Sequence, residues 1–171
     1  MLPKPAKLLI AFVAAITLST SLNGCGFKLR GSHNIPSELK VMHLDSVDRY
    51  SELARLLKTQ LALNDINLIE QSGTNIASLK LFKDRLDRRT LSLFPNGQVA
   101  EHELIYSVSY AITVPDQEPQ QFDFEIYRDY QDDPENALAK AKELKLILKE
   151  MRQQAADKII RQLASLNKTN T

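Results

Sequence analysis

Between residues 103 and 114 the chain alternates almost without fault. Leu104, Tyr106, Val108, Tyr110, Ile112 and Val114 fall at every second position, while Glu103, Ser107, Ser109 and Thr113 stand between them. Period two places each set on its own face of a β-strand. Over this length, one face must pack while the other stays wetter. Such a strand needs a covering layer, and the C-terminal segment supplies one. Leu144, Leu148, Met151, Ala155, Ile159, Leu163 and Leu166 step by three or four and form the apolar stripe of a helix. Asp133 is suited to the N-cap, Pro134 to the first helical position and Glu135 to the positive helix end. Ala155 is small enough to let the helix approach a sheet closely. Lys145, Lys149, Arg152 and Lys158 lie on the opposite, solvated face.

The remaining segments fit around this pair. Residues 39–44 (LKVMHL) read as a first, buried strand, and Asp45, Ser46 and Asp48 offer turn and N-cap chemistry after it. Leu53, Leu56, Leu57, Leu61 and Leu63 predict a helix from about Tyr50 to Asn64. A short strand over 66–70 and a loop over 71–75 follow. The first arm of a long hairpin is expected over 76–94, interrupted by a bulge or exposed extension at residues 83–89. Pro95-Asn96-Gly97 forms its turn: Pro presets φ, Asn tolerates the second position, and Gly takes the left-handed place of a G1 bulge. Phe122, Phe124 and Ile126 face inward on a last strand, 122–130. The predicted fold is therefore α+β. It is a two-layer sandwich with a mixed or antiparallel sheet of about four strands and two helices packed on one face. The open sheet face and its edges are left for partners.

The N-terminus has a different character. Lys4 and Lys7 precede the apolar run 8–18, which is too short to span the roughly 30 Å bilayer core. Leu22-Asn23-Gly24-Cys25 then resembles a lipobox. Residues 1–24 are thus expected to be a lipoprotein signal peptide. Residues 25–38 are read as the lipidated N-terminus and tether, 39–166 as one α+β domain, and 167–171 as a disordered tail. Cys25, the only cysteine, is the expected lipidation site, carrying N-acyl and S-diacylglycerol groups, and no other cofactor is expected. Gly26 stands where Asp would resemble an inner-membrane retention signal, so the outer membrane is the expected destination. Without residues 1–24, 20 basic side chains stand against 21 acidic ones, a formal charge of −1. A nearly neutral domain lacks the electrostatic footprint of a nucleic-acid binder.

No catalytic pattern emerges. His33, His43 and His102 have no metal-ligand spacing, and no GxSxG, GxxxxGK[ST] or GxGxxG motif occurs. The acidic run 129–133 lacks the glycine and terminal glutamate of a calcium loop and sits where a helix needs a cap. The expectation is a non-enzymatic protein without a metal.

Several segments, in order behind the lipobox, resemble the LptE (RlpB) family of LPS-assembly lipoproteins. They are residues 25–31 (CGFKLRG), 40–46 (KVMHLDS), 60–64 (QLALN), 94–98 (FPNGQ), 137–140 (ALAK) and the helical run 149–156. The resemblance covers nearly the whole chain after the signal. It implies an outer-membrane lipoprotein that plugs the β-barrel LptD, assists its assembly and binds lipopolysaccharide during delivery to the outer leaflet. By position, Lys140 matches a basic residue that the family associates with LPS contact. The family's basic residue at the hairpin tip is Pro95 here; Arg85, Arg88 and Arg89 are candidates to compensate. The other reading of these arginines is a charged, exposed strand end. Phe94, Pro95 and Asn96 are candidate contacts to the partner barrel, with Phe94 either an anchor or folded back onto the hairpin. Two other classes stay open: an adaptor for a different envelope machine, such as a barrel-assembly or Tol-type complex, and an enzyme acting on envelope polymers.

Overall fold

The computed structural model describes residues 34–166. In chain order the elements are β1 (Val41–Ser46), α1 (Glu52–Leu63), β2 (Asn67–Ile69), β3 (Ala77–Leu81), β4 (Arg85–Leu93), β5 (Val99–Thr113), β6 (Gln120–Gln131) and α2 (Ala137–Ser165). Short 3-10 turns occupy Ser37–Leu39 and Pro134–Asn136. All six strands belong to one mixed sheet. β1 lies between β2 and β3 and is parallel to both. β3, β4 and β6 run antiparallel to β5. The α+β class and mixed sheet agree with the sequence reading; the strand count is six rather than about four.

The higher count comes mostly from the first hairpin arm, which is two strands rather than one. β3 pairs with one end of β5, Leu81 opposite Tyr110, and β4 with the other, Arg85 opposite Ser107. Four steps along the first arm answer three along β5, so one extra residue is accommodated at residues 82–84. A one-residue slip exchanges the faces of everything beyond it. Leu79 and Leu81 face the core, yet beyond the slip it is Leu86 that packs against it. Leu91 and Leu93, which look like a continuation of the same apolar face, are 46% and 60% exposed.

One core serves the whole domain. Leu53, Ala54, Leu57 and Leu61 of α1 and Met151, Ala155, Ala156, Ile159, Ile160 and Leu163 of α2 are buried in it. The sheet contributes Leu79, Leu81, Leu104, Tyr106, Val108, Tyr110 and Ile112. A fully buried Leu, Ile or Met side chain stabilises the fold by about 1.5–3 kcal/mol relative to an exposed one. Only the C-terminal half of α2 carries core residues. Leu144 and Leu148 pack partly, while Leu138 and Leu146 are 74% and 57% exposed.

Caps and ends differ in detail from the sequence reading. The α1 N-cap is Ser51, whose hydroxyl accepts from the Ala54 N–H at 3.1 Å. Ser46 and Asp48 instead build the preceding turn, where the Ser46 hydroxyl donates to the Asp48 carbonyl. Asp133 caps the 3-10 turn that leads into α2, accepting from the Glu135 N–H at 3.0 Å. Ile35 and Pro36, placed by sequence in the tether, are buried, and Leu39 is part of the core.

A polar chain crosses the sheet–helix interface at the slip. The Tyr106 hydroxyl donates to Asp84 Oδ2 at 2.6 Å. Arg152 of α2 acts electrostatically on the same phenol and forms an ion pair with Glu52 at the start of α1. Sheet and both helices are thereby joined by one run of polar contacts.

Candidate functional site

The hairpin tip is built from a few local bonds. The Gly97 N–H donates to the Phe94 carbonyl at 2.9 Å, and the Phe94 N–H to the Gln98 carbonyl at 2.8 Å. Asn96 Oδ1 accepts from the Gln98 N–H, and its amide donates to Gln98 Oε1. Gly97 has φ +83°, the left-handed place expected from sequence. A Cβ there would meet open space, so Gly97→Ala would be strained without a clash. The expected loss is about 1 kcal/mol, measurable by thermal melting.

Beside the tip lies a cleft of about 540 Å³, with Phe94 on one wall and Lys140 on another. Phe94 is 36% exposed. Tip and helix start are neighbours because Tyr130, at the end of β6, is hydrogen-bonded to α2: its hydroxyl donates to the Lys140 carbonyl at 3.2 Å. The Lys140 ammonium sits 4.9 Å from the Tyr130 ring centroid and pairs with Glu143 at 2.7 Å. The hydrogen bond that it donates to Glu143 holds the Lys140 ammonium above the usual lysine range.

Carboxylates dominate the rest of the cleft. Glu101 is held below the usual carboxylate range by hydrogen bonds from Ser92 and Gln131. Asp133 is lowered as well, first by the Asn136 side chain. Asp132 completes this acidic wall. Glu101 and Asp133 are charged at neutral pH, so Lys140 is the one cation among the described lining residues, set in an acidic frame. An incoming phosphate must compete with Glu143 for it.

The three arginines do not converge. Arg88 pairs with Leu104, on the core-facing side of β5, and acts electrostatically on Tyr130. Arg85 and Arg89 have the opposite parity. Arg85 pairs with Asp87 at 2.7 Å, and Arg89 with Glu103 at 2.5 Å. Among the described residues, Arg88 alone of the three makes no ion pair. Sequence reasoning missed Tyr130, Glu143 and the carboxylates of the cleft. Glu143 stands three residues after Lys140 on one helix face, a spacing that could have found the pair. Tyr130, Glu101, Asp132 and Asp133 come from other segments, and no spacing along the chain announces their meeting with Lys140.

Cys25 and residues 167–171 lie outside the described residues. Among the described residues, no His, Cys, Asp or Glu cluster is placed to hold a metal, and no helix is long and apolar enough to cross a membrane.

Residues 39–163 match the family model LptE, described as lipopolysaccharide-assembly. The LPS-assembly lipoprotein LptE of Photorhabdus laumondii is 37% identical over 144 residues, 84% of this chain and 79% of that protein. Its namesake from Yersinia pestis is 34% identical over 145 residues, 84% of this chain and 70% of that one. Among solved structures, rare lipoprotein B from Shewanella oneidensis superposes with a TM-score of 0.70 at 47% identity, covering 74% of this chain and 96% of that chain. An uncharacterised lipoprotein B from Nitrosomonas europaea, 21% identical with a TM-score of 0.69 over 85% of this chain and 94% of that one, shares the fold.

Proposed function

Because the chain belongs to the LptE family of lipopolysaccharide assembly, we propose that it acts without catalysis, as an outer-membrane lipoprotein seated in the LptD β-barrel. Acyl chains on Cys25 hold it to the periplasmic side of the outer membrane. The domain fills the barrel lumen and touches lipopolysaccharide in transit at its hairpin-tip end. The observation that carries this reading is the position of Lys140. It is a cation at the rim of a cleft whose other wall is the half-exposed Phe94, so one place offers both an anion contact and an apolar contact. A lipid A phosphate with acyl chains beside it has that pairing of chemistries. Phe94, with Pro95 and Asn96 fixed behind it, is the barrel-facing contact of the tip. Arg88, which acts electrostatically on Tyr130, is the arginine that assists Lys140 in this reading; Arg85 and Arg89 are occupied by carboxylates on the other face.

The test uses full-length lipoprotein in detergent and purified lipopolysaccharide. Lys140→Asp is expected to weaken binding about tenfold, the loss of one charge-assisted contact. Glu143→Gln, which frees the ammonium, is expected to strengthen it, and Arg85→Ala to change little. Unchanged binding in Lys140→Asp removes the residue from the site. For the barrel, Phe94→Asp is expected to lower recovery of LptD in co-purification from membranes; full recovery would mean that Phe94 is not a contact.

A further inference from the structure

β1 has six residues and its outer neighbour β2 only three. β2 stops at Ile69, opposite His43, while β1 continues through Leu44, Asp45 and Ser46 against β3. Among the described residues, β1 is on that stretch a paired strand on one side and an open one on the other. The direction of its backbone groups follows from two bonds. The Lys40 carbonyl accepts from the Asn67 N–H at 2.7 Å, toward β2, whereas the Val47 N–H donates to the Leu81 carbonyl at 3.1 Å, toward β3. Successive residues of a strand with neighbours on both sides send their backbone groups to alternate sides. Even-numbered residues of β1 therefore face the β2 side, and the Leu44 carbonyl and Ser46 N–H point into the lane beyond the end of β2.

A cleft of about 510 Å³ occupies that lane. Leu44 and Leu68 supply apolar lining, and Arg49 and Lys58, from the β1–α1 connection and from α1, lie on its walls with His43 and Glu70. His43 Nδ1 is taken up by the Ile69 carbonyl at 3.0 Å. Among the described residues, neither Arg49 nor Lys58 makes an ion pair. Glu70 is the only carboxylate among the described lining residues, so the cleft keeps an excess of positive charge.

We propose that this lane is a strand-acceptor site. An extended segment of a partner protein, bearing acidic side chains, continues the line of β2 along Leu44–Ser46. Main-chain bonds to Leu44 and Ser46 supply the pairing, Leu44 and Leu68 take an apolar side chain, and Arg49 and Lys58 take the carboxylates. The site is separate from the tip cleft and does not depend on what binds there.

The test uses full-length chain in detergent micelles and a capped octapeptide of alternating valine and glutamate. The peptide is expected to protect the Ser46 amide against hydrogen exchange. The double variant Arg49→Glu, Lys58→Glu alters exposed side chains only and is expected to lower affinity at least tenfold, roughly the loss of two charge-assisted contacts. N-methylation of the peptide backbone is expected to abolish binding. Ser46→Pro removes the N–H directly; should it unfold β1, the charge-reversal variant still decides. Failure of the peptide to protect Ser46, or equal binding by the N-methylated peptide, overturns the proposal. So does occupation of the cleft by inorganic phosphate with no peptide binding, which would make it an anion pocket.

Discussion

Met151→Ala is expected to lower the stability of the domain by about 2–5 kcal/mol, the cost of a large-to-small change at a packed site. Met151 is 0% exposed and lies where the α2 stripe enters the core. Truncation removes buried methylenes and leaves a void that neighbours close only in part. The adjacent turns hold Ala155 and Ala156, both fully buried and too small to fill it. Leu146→Ala, one and a half turns earlier at 57% exposure, is expected to stay within about 0.5 kcal/mol of wild type. Urea unfolding of the two variants measures the difference. Equal losses would mean that α2 packs along its whole length, contrary to the division between its halves.

The second large effect is expected in alkali. Burial, and after it the charge of Asp123, pushes the Tyr110 phenol up to about 12. Tyr106 is pushed further in the same direction, by burial first and by its hydrogen bond to Asp84 second. Unfolded tyrosines ionise near 10. A group whose folded value is raised gives stability that is complete below the unfolded value and is lost as pH climbs through the folded one. The fold should therefore lose about 2–3 kcal/mol between pH 10 and 12 through Tyr110 alone, and more through Tyr106. Phenolate absorbance from both should appear together with loss of the folded circular dichroism. Tyr106→Phe deprives Asp84 of its donor and costs about 1 kcal/mol at neutral pH. That cost should shrink in alkali, since the variant has one phenol fewer to ionise. Ionisation of Tyr106 in a still-folded chain would refute the argument.

The regular elements were legible because their periodicity is local. The alternation from Leu104 to Ile112 and the stripe from Met151 to Leu163 each announce a face, and those faces meet in the core. The tip was legible because Pro95, Asn96 and Gly97 each have a narrow conformational use. The division of the arginines was not. It depends on one extra residue in Phe82-Lys83-Asp84, with no glycine to mark the slip, and the register is visible only opposite β5. Nor was the acidic frame of Lys140, assembled from β5, the connection that follows β6, and α2. The open lane beside β1 follows from the unequal lengths of two parallel strands, which no residue type encodes.

Among the described residues, β6 pairs only with β5 and leaves its outer edge without a neighbour along twelve residues. At high local concentration, identical chains would find in that edge a seed for fibrous stacking. Chemistry along the strand makes such growth poor. Arg128 folds over the edge, its guanidinium donating to the Tyr127 carbonyl at 2.9 Å and to Gln154 on α2 at 2.7 Å. Asp123, Glu125 and Asp129 would meet their own kind in an in-register copy. The strand can stay long enough to carry the tip away from the core without inviting a polymer of identical chains.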